Sequence, residues 1–217
     1  MLGIGDWINR KRHNRGFGIQ SPSAFFFITQ VLNERLPYYA YDALDEIADA
    51  CKEMACRRCR TLFRIANYLN PASSIIVEST TAACAISHAR RFTPKMLITS
   101  SCDTPETVRE SLTACACRHK SGNTLNILRE WMEANSPIGL LYIGKCDNQP
   151  QLLESAMRHT NKESVIIVEG IHRDKEHRDW WRSVTADPRN IVTYDMYSMG
   201  ILFFDTARYK QNYTLKK

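Results

Sequence analysis

The sequence predicts an α/β fold organised as a doubly wound, mostly parallel sheet of seven strands. Three observations carry this. Short apolar runs, Ser74–Val77 and Val165–Val168 among them, have the length and composition of strands buried on both faces. Between such runs lie stretches whose apolar residues recur every three or four positions, so strand and helix alternate. Near the C-terminus two strand-like runs are separated only by Met196-Tyr197-Ser198-Met199-Gly200. That is too short for a crossover helix and predicts an antiparallel pair.

The elements follow in order. Gly16 and Gly18 interrupt the polar N-terminal arm. Ser21-Pro22 places an N-cap before a proline at the first helical position, and Ala24, Phe25, Ile28 and Val31-Leu32 give the apolar stripe of a helix ended by Pro37. A long helix is predicted from Asp42, as its cap, to Pro71, which ends it, with Leu44, Ile47, Ala48, Cys51, Ala55, Cys59, Leu62, Phe63, Ala66 and Leu69 recurring every three or four residues. Strand Ser74–Val77 is followed by a helix over Ala82–Arg91, and strand Lys95–Thr99 by a helix capped by Thr104 and running to His119. Leu125–Ile127 reads as a short strand and Arg129–Ala134 as a short helix. Ile138–Ile143 and Ser164–Val168 are strands, each followed by a helix, Gln149–His159 and Arg173–Val184. Asn190–Tyr194 and Ile201–Phe204 form the antiparallel pair, and Tyr213–Leu215 can extend an edge. The whole chain reads as one domain, with an N-terminal arm and helices over 1–70 and the sheet core over 71–217.

Composition sets outer limits. With 217 residues, 44% hydrophobic and 24% charged, the chain has enough apolar surface for one substantial core. No apolar run could span a bilayer, and the N-terminus lacks the apolar segment of a signal peptide, so a cytoplasmic address is expected, with no membrane partner. The eight cysteines are then expected to be reduced and mostly buried. The net charge is +6, densest at Arg10, Lys11, Arg12 and Arg15. No aromatic-basic interleaving accompanies that cluster, so it reads as a solvated segment and not as a nucleic-acid interface.

In a doubly wound sheet a ligand sits beyond the carboxyl ends of the strands. Those ends read Glu78-Ser79-Thr80-Thr81-Ala82-Ala83, Ser100-Ser101-Cys102-Asp103, Gly144-Lys145-Cys146-Asp147 and Glu169-Gly170-Ile171-His172. Three further segments stand out: Gly18-Ile19-Gln20-Ser21-Pro22, Pro37-Tyr38-Tyr39-Ala40, and Asp195 through Phe204. On these residues the chain resembles class I S-adenosylmethionine (SAM)-dependent methyltransferases of the small bacterial O-methyltransferase type. The resemblance covers nearly all of the chain from residue 16. It implies a Rossmann-like fold and a SAM site at Ser79, Thr80, Thr81, Ser100, Gly144 and Glu169.

The same alignment exposes departures. The family's first loop reads Glu-Leu-Gly-Thr-Ser-Xaa-Gly; aligned without gaps, Val77 replaces the acid, Ser79 the first glycine and Ala83 the second, while a one-residue shift restores Glu78 as the acid but still places no glycine in the loop. Glycine matters there because the cofactor approaches the backbone closely. Ser100 stands where the family carries a ribose-binding acid, Gly144-Lys145 replaces the family's Asp-Gly after the next strand, and Glu169-Gly170 replaces the acidic pair after the one following. Losing two charge-assisted hydrogen bonds removes about 3–6 kcal/mol, or about a hundredfold to ten-thousandfold in affinity. The expectation is a methyltransferase-like protein with weak or no cofactor binding and a non-catalytic interaction role. The alternative is an active small-molecule O-methyltransferase with a divergent pocket using Thr80, Ser100 and Glu169. A third reading is a binder of a small anionic or nucleoside ligand at the first helix N-terminus.

Other constellations point to structure. Cys51, Cys56 and Cys59 lack a fourth metal ligand, and Cys115 and Cys117 are expected on opposite sides of a helix. No metal site and no catalytic base are assigned. His172, Asp174 and His177 beside Glu169 read as a loop and a first helical turn. Trp180 and Trp181 cannot share a helix face, so one is expected in the core. The Phe25-Phe26-Phe27 run exceeds what one helix face can bury and suggests a homodimer surface.

Overall fold

The computed structural model describes residues 16–101 and 104–215. Its centre is an eight-stranded sheet: β1 (Ser74–Val77), β2 (Lys95–Thr99), β3 (Cys117–Ser121), β4 (Leu140–Ile143), β5 (Val165–Glu169), β6 (Val192–Asp195), β7 (Met199–Phe203) and β8 (Gln211–Thr214). The order is β3-β2-β1-β4-β5-β7-β6-β8. Strands β1 to β5 are mutually parallel, and β7 lies antiparallel between β5 and β6. The predicted C-terminal pair is therefore present. The count rises from seven to eight because β8 pairs with β6 at the edge, parallel to it.

Alternation along the strands divides the core. Ile76, Leu97, Leu140, Tyr142 and Ile167 face one layer, while Ile75, Val77, Leu141, Ile143, Ile166 and Val168 face the other. The first layer carries α1 (Pro22–Phe26), α2 (Tyr41–Cys51), α3 (Cys56–Leu69), α4 (Thr80–Ala89) and α5 (Glu106–Ala114). The second carries α6 (Thr124–Asn135), α7 (Gln149–Met157) and α8 (Lys175–Ala186). Helix α4 is buried all round from Thr80 to Ser87, as a helix between a sheet centre and an outer helix layer must be.

Four sequence expectations change. The predicted long helix from Asp42 to Pro71 is two helices: α2 ends at Lys52, which adopts φ +54°, and α3 begins after an extended Ala55. Asp42 lies inside the first turn of α2 and the N-cap is Ala40. The helix after β2 is capped at Pro105, not Thr104, and ends at Ala114, so the chain from Cys117 to Ser121 is free to form β3. Leu125–Ile127 then belongs to α6. The cause is visible in β3: after Cys117 its residues Arg118, His119, Lys120 and Ser121 are all exposed, the charged edge strand that offers no apolar period.

Ser21 caps α1 as expected, accepting a bond from the Ala24 amide with Pro22 at the first helical position. That helix continues as a π-helical turn, Phe27–Leu32, and stops before Pro37. Trp181 is in the core against Gly200, whose added Cβ would fall 2.2 Å from the indole ring, and Trp180 is half-buried. Among the described residues no helix is long and apolar enough to cross a membrane. The basic cluster at 10–15, Cys102 and Asp103 lie outside the described residues.

Candidate functional site

The sheet register brings four strand ends level. Val77 pairs with Ile98 and Ile143, and Ile143 with Val168, so residues 78, 99–100, 144 and 169 leave the sheet side by side. This is the crevice in which a doubly wound sheet places a ligand.

Between β1 and α4 the chain turns without glycine. Glu78 takes the left-handed conformation, φ +54°, and Ser79 is extended at φ −155°. Ser79 is the N-cap of α4: its hydroxyl accepts from the Ala82 amide at 3.2 Å. Thr80 and Thr81 open the helix and are buried. Ala83, at the family's second glycine position, is fully buried.

The helix end already has an anion on it. Glu53, from the break between α2 and α3, places Oε2 where the Ser79 hydroxyl donates at 3.1 Å and the Thr81 amide at 3.0 Å. A carboxylate at a helix N-terminus gains from both the unpaired amides and the helix dipole. Glu53 is absent from the sequence-based site because it lies far from the strand ends along the chain. No local signal marks the turn at Lys52–Ala55: Cys51, Ala55 and Cys59 keep the helical spacing across it, and no glycine or proline interrupts it.

Glu78 bridges β1 to β2. Its carboxylate accepts from the Ser100 amide at 2.8 Å and from the Ser100 hydroxyl at 3.2 Å. Negative charge, which the strand-end residues of β2 lack, is thus supplied from β1. Gly144 is a packing residue: its amide donates to the Val77 carbonyl at 2.7 Å, and an added Cβ would fall 2.3 Å from the Glu78 carbonyl oxygen.

Glu169, at the end of β5, is only 4% exposed and fully engaged. Arg58 of α3 donates to Oε1 at 2.9 Å, Lys145 lies 3.4 Å from the same oxygen, and the Tyr142 hydroxyl donates to Oε2 at 2.8 Å. Burial, reinforced by the Glu169 charge, raises the Tyr142 phenol well above its ordinary range, so it is a donor only. Gln149 ties the two strand ends together by donating to the carbonyls of Gly144 and Glu169. The Cys146 thiol is pushed up to about 11 by burial, with the Glu78 charge adding to it, and is no nucleophile.

The histidine constellation separates into pieces. Asp174 caps α8 through the His177 amide at 2.8 Å, the predicted first-turn arrangement. His172 instead pairs with Asp195 at 2.7 Å and stacks on Tyr197. Neither unit touches Glu169. Cys59 is a core residue whose thiol burial pushes up to about 12. Cys115 and Cys117 sit at the end of α5 and the start of β3, not on one helix.

No protein-family profile matches the chain. No curated protein matches it either. Solved structures do. An SAH-bound methyltransferase from Podospora anserina superposes with a TM-score of 0.60 at 12% identity, over 90% of this chain and 98% of that one. An O-methyltransferase from Bacillus cereus in complex with SAH gives 0.59 at 12% identity, over 81% and 96%. TomG, an O-methyltransferase from Streptomyces achromogenes in complex with SAM, gives 0.58 at 11% identity, over 82% and 94%. The fold is that of the class I SAM-dependent O-methyltransferases.

Proposed function

We propose that this chain is a SAM-dependent methyltransferase-like protein whose crevice is closed by its own side chains, with weak or no cofactor binding and a non-catalytic interaction role. The observation that carries the reading is Glu169. It is the buried carboxylate at the mouth, and two cations and a phenol already saturate it. A sulfonium nucleoside entering there would meet the cations Arg58 and Lys145, already seated on the Glu169 carboxylate, and like charges repel. The β-carbons of Ser79 and Ala83 add steric opposition where the family's loop carries glycine. The residues present do not fit the cofactor, and no chemical step is assigned to it.

The interaction role is assigned to the opposite side of the first helix layer. Phe25 and Phe26 of α1 are 46% and 48% exposed, and Tyr68 of α3 is 44% exposed, with the Phe26 and Tyr68 rings 5.8 Å apart. The exposed Phe26–Tyr68 ring pair, with Phe25 exposed on the same short helix, suits a second copy of the chain.

Titration calorimetry on the full chain tests the reading. The expected result is no binding of SAM or of S-adenosylhomocysteine (SAH) tighter than about 1 mM, the range left after losing two charge-assisted contacts. Micromolar binding would refute it in favour of an active O-methyltransferase with a divergent pocket.

A further inference from the structure

We propose that the end of the sheet opposite the crevice carries a separate binding site, an aromatic-walled cavity that takes a planar aromatic carboxylate. The proposal stands independently of the closed-crevice reading, because no residue of the crevice takes part in it.

The cavity has a volume of about 570 Å³, within the range of small-molecule sites. Its position follows from the sheet register. Lys162, Glu163 and Val165 lead into β5, and Val165 pairs with Phe203, where the antiparallel strand β7 ends. Phe27 and Tyr68, near the C-terminal end of α3, line it from the helix layer. Four rings form one continuous wall: Phe27 lies 5.0 Å from Tyr194, 5.4 Å from Phe203 and 5.6 Å from Tyr68. Phe27 also opens the π-helical turn, a rare conformation that recurs at functional sites.

The observation that points to a ligand is the Tyr194 hydroxyl. Tyr194 is only 1% exposed, yet among the described residues its hydroxyl has no hydrogen-bond partner. Buried polar groups are ordinarily paired, so an unpaired one lining a cavity marks a place for a partner. An adjoining hollow of about 330 Å³ shares Ser23, Tyr194 and Arg208 with the cavity, so the phenol stands where the two meet. Burial raises that phenol above its ordinary range, against the opposing charge of nearby Arg208, and it remains a protonated donor at neutral pH.

The rim selects the acceptor. Arg208 gives its Nε to Asp205 at 3.0 Å, while its terminal nitrogens and the Lys162 ammonium carry no hydrogen bond among the described residues. Asp205 is fully used, because its other oxygen accepts from the Ala207 amide at 3.1 Å. Glu163 is the remaining carboxylate on the rim, and it stands against both cations. A carboxylate carried on a flat ring satisfies the Tyr194 hydroxyl and Arg208 together, with the ring packed on the aromatic wall.

The test titrates sodium 2-naphthoate into the full chain at constant ionic strength and follows the amide chemical shifts of Phe27, Val165 and Arg208. Sodium acetate supplies the charge without the ring, and 2-naphthalenemethanol the ring without the charge. The expected result is a saturable shift at about 1 mM or tighter with naphthoate, about tenfold weaker binding of the alcohol, and no saturation with acetate. Tyr194→Phe keeps the ring and should weaken naphthoate about fivefold; Arg208→Gln should weaken it about tenfold. Absence of a saturable shift at these amides would overturn the proposal, as would equal affinity in wild type and both variants. An alcohol that binds as tightly as the acid would overturn the carboxylate assignment. If Tyr194→Phe does not fold, Arg208→Gln on the exposed rim decides alone, an unchanged affinity overturning the proposal. Naphthoate shifts confined to Ser79, Thr81 and Ser100 would place binding in the crevice and overturn it as well.

Discussion

At the scale of single residues, the crevice is defined by which groups are already paired. Gly144 illustrates the difference between a strand-end position that could line a ligand and a packing requirement: its Cα approaches the Glu78 backbone so closely that a methyl has no room. Gly144→Ala should therefore destabilise the fold by about 1–3 kcal/mol, read by chemical denaturation. Arg58→Met removes a charge-assisted bond from a buried carboxylate and should cost about 1.5–3 kcal/mol, with Lys145 limiting the loss. Restoring the family pattern with Ser79→Gly, Ala83→Gly and Ser100→Glu is expected to fail by itself. The new carboxylate at position 100 would face Glu78, whose oxygens now accept from Ser100. Ser79, Thr80, Thr81, Ser100, Gly144 and Glu169 were legible as strand-end residues because each adjoins an apolar strand in sequence. Glu53, Arg58 and Tyr142 were not. The places of Glu53 and Arg58 depend on how helices pack, and that of Tyr142 on how β4 pairs with β5, neither of which a local pattern encodes.

At the scale of elements, apolar strands were the most legible. Ser74–Val77 and Lys95–Thr99 form with the predicted bounds, because continuous burial imposes continuous apolarity. Strand β3 was invisible for the converse reason: edge position removes the need for burial, and four exposed polar residues carry no period. The α2–α3 break was equally hidden, since both helices pack on the same layer and keep the apolar spacing in phase. Lys52 ends α2 in the left-handed region, so Lys52→Gly should stabilise the protein by about 0.5–1 kcal/mol, measured by thermal or urea unfolding. The α8 cap predicts a pH dependence. Bonds from the His177 amide and then its ring hold the Asp174 carboxyl below its ordinary range. Such a group favours folding above the unfolded pKa of about 3.9 and loses that contribution as pH falls through its lower folded value. Asp174→Asn keeps an acceptor for the cap, so its stability should fall less than that of wild type across this acid window.

At the scale of the whole molecule, the topology follows from alternation and chain direction alone: parallel strands need crossover helices, and the three residues Met196 to Ser198 between β6 and β7 permit only an antiparallel return. The exposed Phe26–Tyr68 pair is expected to make the protein a dimer by sedimentation, and Phe26→Ser with Tyr68→Ser should yield a monomer of unchanged fold. The central claim concerns the opposite region, where the carboxylates Glu53, Glu78 and Glu169 are all engaged with groups of the same chain. It is tested most directly by titrating SAH into the full chain while following the amides of Ser79, Thr81 and Ser100. The account predicts no saturable shift below about 1 mM. Saturation of all three amides at micromolar SAH would contradict it.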